Sequence, residues 1–128
     1  MRKHRSDTRK TLGYTAESLT CEYLKRRGYR ILQRNYRCRF GEVDIIALDG
    51  EVLAVIEVKS LSSAFLTTPL EKIDRRKQER LFRIAQYYVQ QKRETSKNIR
   101  FDVVSVEMSP GDTSDHVIHL IKDAFRMY

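Results

Sequence analysis

The chain has 128 residues, enough for one domain with its own core, and it carries a formal net charge of +8. It lacks any apolar run near the 18 or more residues of a membrane span, and its basic start lacks the apolar stretch of a signal peptide. Cys21 and Cys38 are two thiols outside any CxxC pair, which argues against a disulfide framework or a zinc site. Reduced cysteines in a cytoplasmic protein are the expectation.

The charge is unevenly distributed. Residues 1–40 hold 12 Lys/Arg against 3 Asp/Glu, whereas residues 41–128 hold 13 against 14. A basic segment ahead of a nearly neutral remainder suits a polyanion such as nucleic acid. Solubility alone also favours positive charge. A membrane surface is disfavoured, because no basic amphipathic helix with an aromatic face is evident.

In chain order, residues 1–8 read as a flexible basic arm and residues 9–128 as the domain. Leu12, Ala16, Leu19, Tyr23 and Leu24 recur at helical spacing, and Gly28 supplies a stop. Residues 31–36 read as a polar edge strand that enters a loop containing Arg37, Arg39 and Gly41. Two Val/Ile-rich strands follow, residues 43–48 and 52–58, joined at Asp49-Gly50. Residues 61–67 read as a loop. Thr68-Pro69-Leu70-Glu71 resembles a capping box, with Asp74 as the other candidate cap. Ile73, Leu81, Ile84, Ala85, Tyr88 and Val89 form the apolar stripe of the second helix. Residues 100–106 make a strand, residues 109–115 a Pro/Gly-containing loop, and residues 116–121 a last strand. The order α-β-β-β-α-β-β predicts an α/β single domain, a mixed sheet flanked by helices.

The two central strands carry the chemistry. Asp-Gly favours a type I′ hairpin turn, which would pair Leu48 with Glu51 and set Asp44 opposite Val55. Alternation then places Asp44, Ile46 and Leu48 on one face with Leu53, Val55, Glu57 and Lys59. Val43, Ile45 and Ala47 share the other with Val52, Ala54, Ile56 and Val58. In that register Asp44 is diagonal to Glu57, roughly 7 Å away at the backbone, within reach of a shared ion. A hard divalent cation prefers such oxygens, and without one the like charges repel. The alternative is a plain Glu57–Lys59 ion pair on a solvated sheet face, with Asp44 merely starting a strand.

Other chemistry finds little support. His116 and His119, three apart on a strand, face opposite ways and do not chelate together. No P-loop, dinucleotide fingerprint or GxSxG elbow occurs. Tyr87 and Tyr88 read as helix-packing residues. Lys77 and Arg80 lie on the polar side of their helix, where a solvated face competes with phosphate binding.

Val43-Asp44 followed by Glu57-Val58-Lys59 resembles the split D…ExK signature of the restriction-endonuclease-like nuclease superfamily. The wider pattern comprises Glu17 in the first helix, Gly28-Tyr29, Arg34-Asn35-Tyr36, Gly41-Glu42-Val43-Asp44, Val55-Ile56-Glu57-Val58-Lys59, Lys77-Gln78 and Arg100-Phe101-Asp102. In that order, over roughly residues 11–107, it closely resembles the YraN-like family of predicted nucleases, whose fold is similar to archaeal Holliday-junction resolvases. The resemblance implies Asp44, Glu57 and the Val58 carbonyl as ligands of Mg²⁺ or Mn²⁺, with Lys59 as the catalytic lysine. Glu17 would be an accessory acid, and Lys77 or Gln78 would approach from the second helix. There are two departures. Ser60-Leu61 stands where the family commonly has Thr or Ser then Arg, and Ala16-Glu17 where Gly-Glu is frequent.

The expectation is a metal-dependent endonuclease-like phosphodiesterase acting on nucleic acid, with DNA, linear or branched, as the favoured substrate. Arg37, Arg39, Lys77 and Gln78 are the expected nucleic-acid contacts. A homodimer follows from analogy with the resolvases, although no sequence feature demands it. The alternative is a non-catalytic nucleic-acid-binding domain that retains the fold. A structural partner in a larger assembly would need an exposed apolar patch, which sequence does not reveal.

Overall fold

Alternating and continuous Val/Ile runs build five strands, and two apolar stripes build the helices that cover them. The structure is a computed structural model that describes residues 5–62, 73–93, 98–109 and 112–126. The elements are α1 (Arg5–Arg26), β1 (Arg30–Cys38), β2 (Gly41–Asp49), β3 (Val52–Ser62), α2 (Arg75–Lys92), β4 (Asn98–Ser109) and β5 (Asp112–Phe125). They match the expected order. The strands lie side by side as β1-β2-β3-β4-β5. Only β3 and β4 run parallel, because α2 carries the chain across between them. Neither helix among the described residues is long and apolar enough to cross a membrane.

The helices lie on opposite faces of the sheet. Ala16, Cys21 and Leu24 of α1 pack with Ile45, Ala47, Ala54, Ile56, Val104 and Val106. Leu81, Ile84, Ala85 and Tyr88 of α2 pack with Ile46, Leu53, Val55 and Phe101. The faces therefore alternate as expected, with one exception. Val43 joins the α2 side with its partner Tyr36, whose ring meets Tyr88 edge-on at 5.1 Å. Strict alternation fails there because the β2–β3 ladder stops at Ile45↔Ile56.

Local signals explain the ends. After α1 the Gly28 N–H reaches the Lys25 carbonyl and the Tyr29 N–H reaches that of Leu24, with Gly28 at φ 90°. This is a Schellman stop, and buried Leu24 and Tyr29 supply its apolar contact. Asp74 caps α2, its side chain accepting the Lys77 N–H at 2.9 Å. The competing box, Thr68 to Glu71, lies outside the described residues.

Several boundaries differ from expectation. Residues 1–4 of the expected arm lie outside the described residues, whereas the backbone of 5–8 begins α1. Leu61 and Ser62 extend β3, and 63–67 of the expected loop are not described. β5 starts at Asp112, within the expected loop of residues 109–115.

The hairpin register is corrected by two residues. Asp49 pairs with Val52 and Leu48 with Leu53, leaving Gly50 and Glu51 as the turn. Gly50 takes φ 63° and Glu51 is not among the positive-φ residues, the pattern of a Gly-first type II′ turn. Asp49 is thereby kept in the strand, where its Oδ2 accepts a hydrogen bond from Arg100 at 2.8 Å. An even shift preserves which residues share a face.

Candidate functional site

The corrected ladder ends at Ile45↔Ile56, so Asp44 and Glu57 are the next residues of the two strands beyond its last pair. Instead of a ladder bond, Asp44 Oδ2 accepts the Val58 backbone N–H at 2.8 Å. Both carboxylates open onto a cleft of about 430 Å³ lined by Gly41, Glu42, Asp44, Glu57, Val58, Lys59, Lys77, Arg80 and Leu81. Strands supply one wall and the first turns of α2 the other.

Glu57 is 6% exposed, so its charge needs partners. It has two. Lys77 Nζ lies 2.6 Å and Lys59 Nζ 3.5 Å from the same oxygen, Oε2. Burial pushes the Asp44 carboxyl up to about 7, and the neighbouring Glu57 adds to the rise while the Val58 N–H opposes it. Burial likewise lowers the Lys59 ammonium, helped by Lys77. For Lys77 burial works in the lowering direction too, but its hydrogen bond to Glu57 helps to keep it above its ordinary value.

The other expected residues fall into two groups. Glu17 is half-buried on α1 and does not line the cleft, yet its charge helps to raise Asp44. Its Oε1 is buried with no hydrogen-bond partner. Gln78 is turned away, its side-chain amide donating to the Ile73 carbonyl at 3.2 Å. Arg37 pairs with Glu42 at 2.9 Å on the exposed rim. Arg39 stands over the rings of Phe40 and Tyr87, at 5.3 and 5.9 Å.

Sequence reasoning weighed Arg80 between a solvated helix face and phosphate binding, and missed its packing against Gly41 in the cleft. Gly41 has φ 132°, and a Cβ built there would lie 3.1 Å from Arg80 Cδ. The spacing of Lys77, Arg80 and Leu81 was the available signal, since residues three and four apart share a helix face. A second charged cluster, at the hairpin end of the sheet, was also missed. There buried Asp102 accepts two hydrogen bonds from Arg100 at 2.8 Å and one from the Tyr29 hydroxyl at 3.1 Å. Its groups satisfy one another, as in a structural tie. A largely apolar hollow of about 340 Å³ beside it is lined by Phe82, Phe101 and Phe125 among others.

Among the described residues no three His, Cys, Asp or Glu side chains form a set able to hold a metal ion. What the cleft offers is a carboxylate pair plus main chain. That donor chemistry fits a hard ion such as Mg²⁺, which commonly takes one or two carboxylates and completes its shell with water or phosphate.

The family model described as "Uncharacterised protein family UPF0102" matches residues 16–106, which spans both helices' packing faces and the whole cleft. The chain belongs to the UPF0102 family. It is 46% identical over 115 residues to a UPF0102 protein of Syntrophus aciditrophicus, covering 90% of this chain and 88% of the relative. A UPF0102 protein of Clostridium perfringens is 40% identical over 118 residues, 92% of this chain and 96% of its own. One of Caldicellulosiruptor saccharolyticus is 43% identical over 118 residues, 91% and 98% respectively. Each of these matches covers most of this UPF0102 chain and most of the relative.

Proposed function

We propose that this protein is a metal-dependent nuclease with a restriction-endonuclease-like core, hydrolysing phosphodiester bonds in DNA. The observation that carries the reading is the pairing of Asp44 and Glu57 in one cleft with two ammonium groups, Lys59 and Lys77. Carboxylates serve a cation, and ammoniums serve a phosphate. Asp44, Glu57 and the Val58 carbonyl would hold Mg²⁺ or Mn²⁺. A bound divalent ion supplies Lewis-acid polarisation of phosphate oxygens and a water of lowered pKa.

The remaining work falls to the chain itself. The Val58 N–H orients the Asp44 carboxylate at 2.8 Å. Lys59, on a rigid strand and drawn toward Glu57, presents positive charge where negative charge develops on a phosphoryl group. Arg80 lines the cleft, Arg37 pairs with Glu42 at its rim, Arg39 stands over the Phe40 ring next to Gly41, and the basic first forty residues add long-range attraction. The same reading places the protein in the cytoplasm with reduced thiols, and allows a homodimer for cutting two strands.

The test is cleavage of duplex, flapped and four-way DNA with Mg²⁺ or Mn²⁺, beside Asp44→Ala and Glu57→Ala controls. Loss of cutting with binding retained is the expected result; both variants cutting at the parent's rate would show the site to be misassigned. The second reading, a non-catalytic nucleic-acid-binding domain, draws on the basic segment alone. It takes over if the parent binds DNA and cuts none of these substrates.

A further inference from the structure

Resting on that reading, we infer that Lys77 is a resident cation on Glu57, which a divalent ion displaces, so that loading the metal hands the Lys77 ammonium to the phosphate of the nucleic acid. The first observation is one of oxygen accounting. Glu57 Oε2 is shared by two ammoniums, and the closer is Lys77 at 2.6 Å against 3.5 Å for Lys59. Asp44 Oδ2 is already engaged by Val58. A metal that uses Glu57, at either oxygen of the carboxylate, comes close to the ammonium on Oε2, and an ammonium and a divalent cation that near repel strongly.

The second observation is how Lys77 is held. Its backbone is pinned, because its N–H is the one that Asp74 caps and the next residue's N–H bonds to the Asp74 carbonyl at 3.0 Å. Its ammonium ends a four-carbon stem with rotatable bonds. The anchor is therefore rigid and the charge movable. The side chain is 25% exposed, against 8% for Glu57, so the charge has a path outward into the cleft.

The third observation is a broken local rule. α2 opens on Arg75, Arg76 and Lys77 with no acid in its first turn. A helix start favours negative charge, so cations there run against the backbone dipole. The Asp74 cap and the Arg75–Glu79 pair offset these cations in part. The Lys77 ammonium itself reaches across to a tertiary partner, Glu57. Asp44, Glu17, Glu42, Lys59 and Arg80 are the other charged groups around the pair, and of the two ammoniums on Glu57 Oε2 Lys77 is the closer.

The test uses the full chain and Mn²⁺ alone, without nucleic acid. Calorimetric titration should show Lys77→Met binding Mn²⁺ roughly tenfold tighter than the parent, since a repelling charge has gone. Lys59→Met should gain less. In the parent, acetylation of the Lys77 amine, read by mass spectrometry, should speed up about threefold or more on adding Mn²⁺, as expected for an ammonium released to solvent. The labelling needs no variant, so a Lys77→Met chain that fails to fold does not shelter the idea. Equal or weaker Mn²⁺ affinity in folded Lys77→Met, or labelling indifferent to Mn²⁺ that binds at Asp44 and Glu57, overturns the exchange and leaves the metal site standing. Mn²⁺ bound by neither parent nor Lys77→Met overturns the exchange and the metal-dependent reading together.

Discussion

Asp44 Oδ2 accepts the backbone N–H of Val58, 2.8 Å away, at the point where the β2–β3 ladder ends. A side chain has replaced a main-chain acceptor, which holds a carboxylate against Glu57 despite their repulsion. In the absence of metal this arrangement costs stability, because burial and a like charge both disfavour ionised Asp44.

A divalent ion should relieve that cost. A ligand that binds only the folded state stabilises it by about 2.7 kcal/mol at about 100 times its Kd. Mg²⁺ or Mn²⁺ is expected to raise the melting temperature of the parent and to leave an Asp44→Asn/Glu57→Gln variant unmoved. Thermal melts with and without metal check this, and equal shifts would locate the ion elsewhere.

The basic segment should govern salt dependence rather than chemistry. Each duplex phosphate neutralised contributes roughly 0.9 to the slope of log affinity against log salt. Deleting residues 2–10 removes Arg2, Lys3, Arg5, Arg9 and Lys10. The slope should flatten by about 2 to 4, if only some of the five reach phosphate. Binding titrations at several salt concentrations measure it. An unchanged slope would move the contact to the cations between Lys25 and Arg39.

Gly41 is where backbone and cleft meet. Its φ of 132° is costly for any L side chain, and an added methyl would press on Arg80 at 3.1 Å. Gly41→Ala should therefore lose about 1–3 kcal/mol in denaturant melts. A loss of DNA affinity with it would mark displacement of Arg80. Full retention of stability would mean that the turn relaxes freely.

The tie at the far end of the sheet should matter for folding alone. Arg100 is the close partner of Asp102, whose side chain is fully buried. Arg100→Met leaves that carboxylate its hydrogen bonds from the Tyr29 hydroxyl and the Asp123 N–H but removes its cation, and should cost about 3–5 kcal/mol, the range for breaking a buried pair. Asp44 and Glu57 stay in place, so metal affinity per folded molecule should be unchanged. A variant as stable as the parent would refute the assignment of Arg100 as the main support of Asp102.

Asp49 supplies a pH signature of the same tie. Its hydrogen bond from Arg100 holds the carboxyl below its ordinary value of 3.8, with Lys122 assisting. The folded state binds fewer protons than the unfolded state in that window, so stability rises with pH there. The contribution is complete above pH 3.8 and is lost as pH falls through the lower folded value. Asp49→Asn should flatten the acid limb of a stability–pH curve while leaving its neutral portion parallel to the parent's. An unaltered acid limb would rule out this linkage.

What the sequence by itself determined is whatever depends on periodicity and local chemistry. The five strands and two helices follow from their apolar spacing, the Schellman stop from Gly28, and the α2 cap from Asp74. Asp44, Glu57 and Lys59 share a face in any even register, because side chains alternate with period two. For the same reason the hairpin slip from an Asp49-Gly50 to a Gly50-Glu51 turn left that face intact. Tertiary structure alone decided the distances. Lys77 meets Glu57 across 20 positions of chain, and Arg80 meets Gly41, only because α2 packs its Leu81 and Ile84 stripe on the sheet. Arg100, Tyr29 and Asp102 meet only because α1 packs on the sheet and brings Tyr29, just after it, to β4. Charge pairing between elements has no period along the chain. It is set by where apolar faces seat the helices, and the sequence carries that information only through packing.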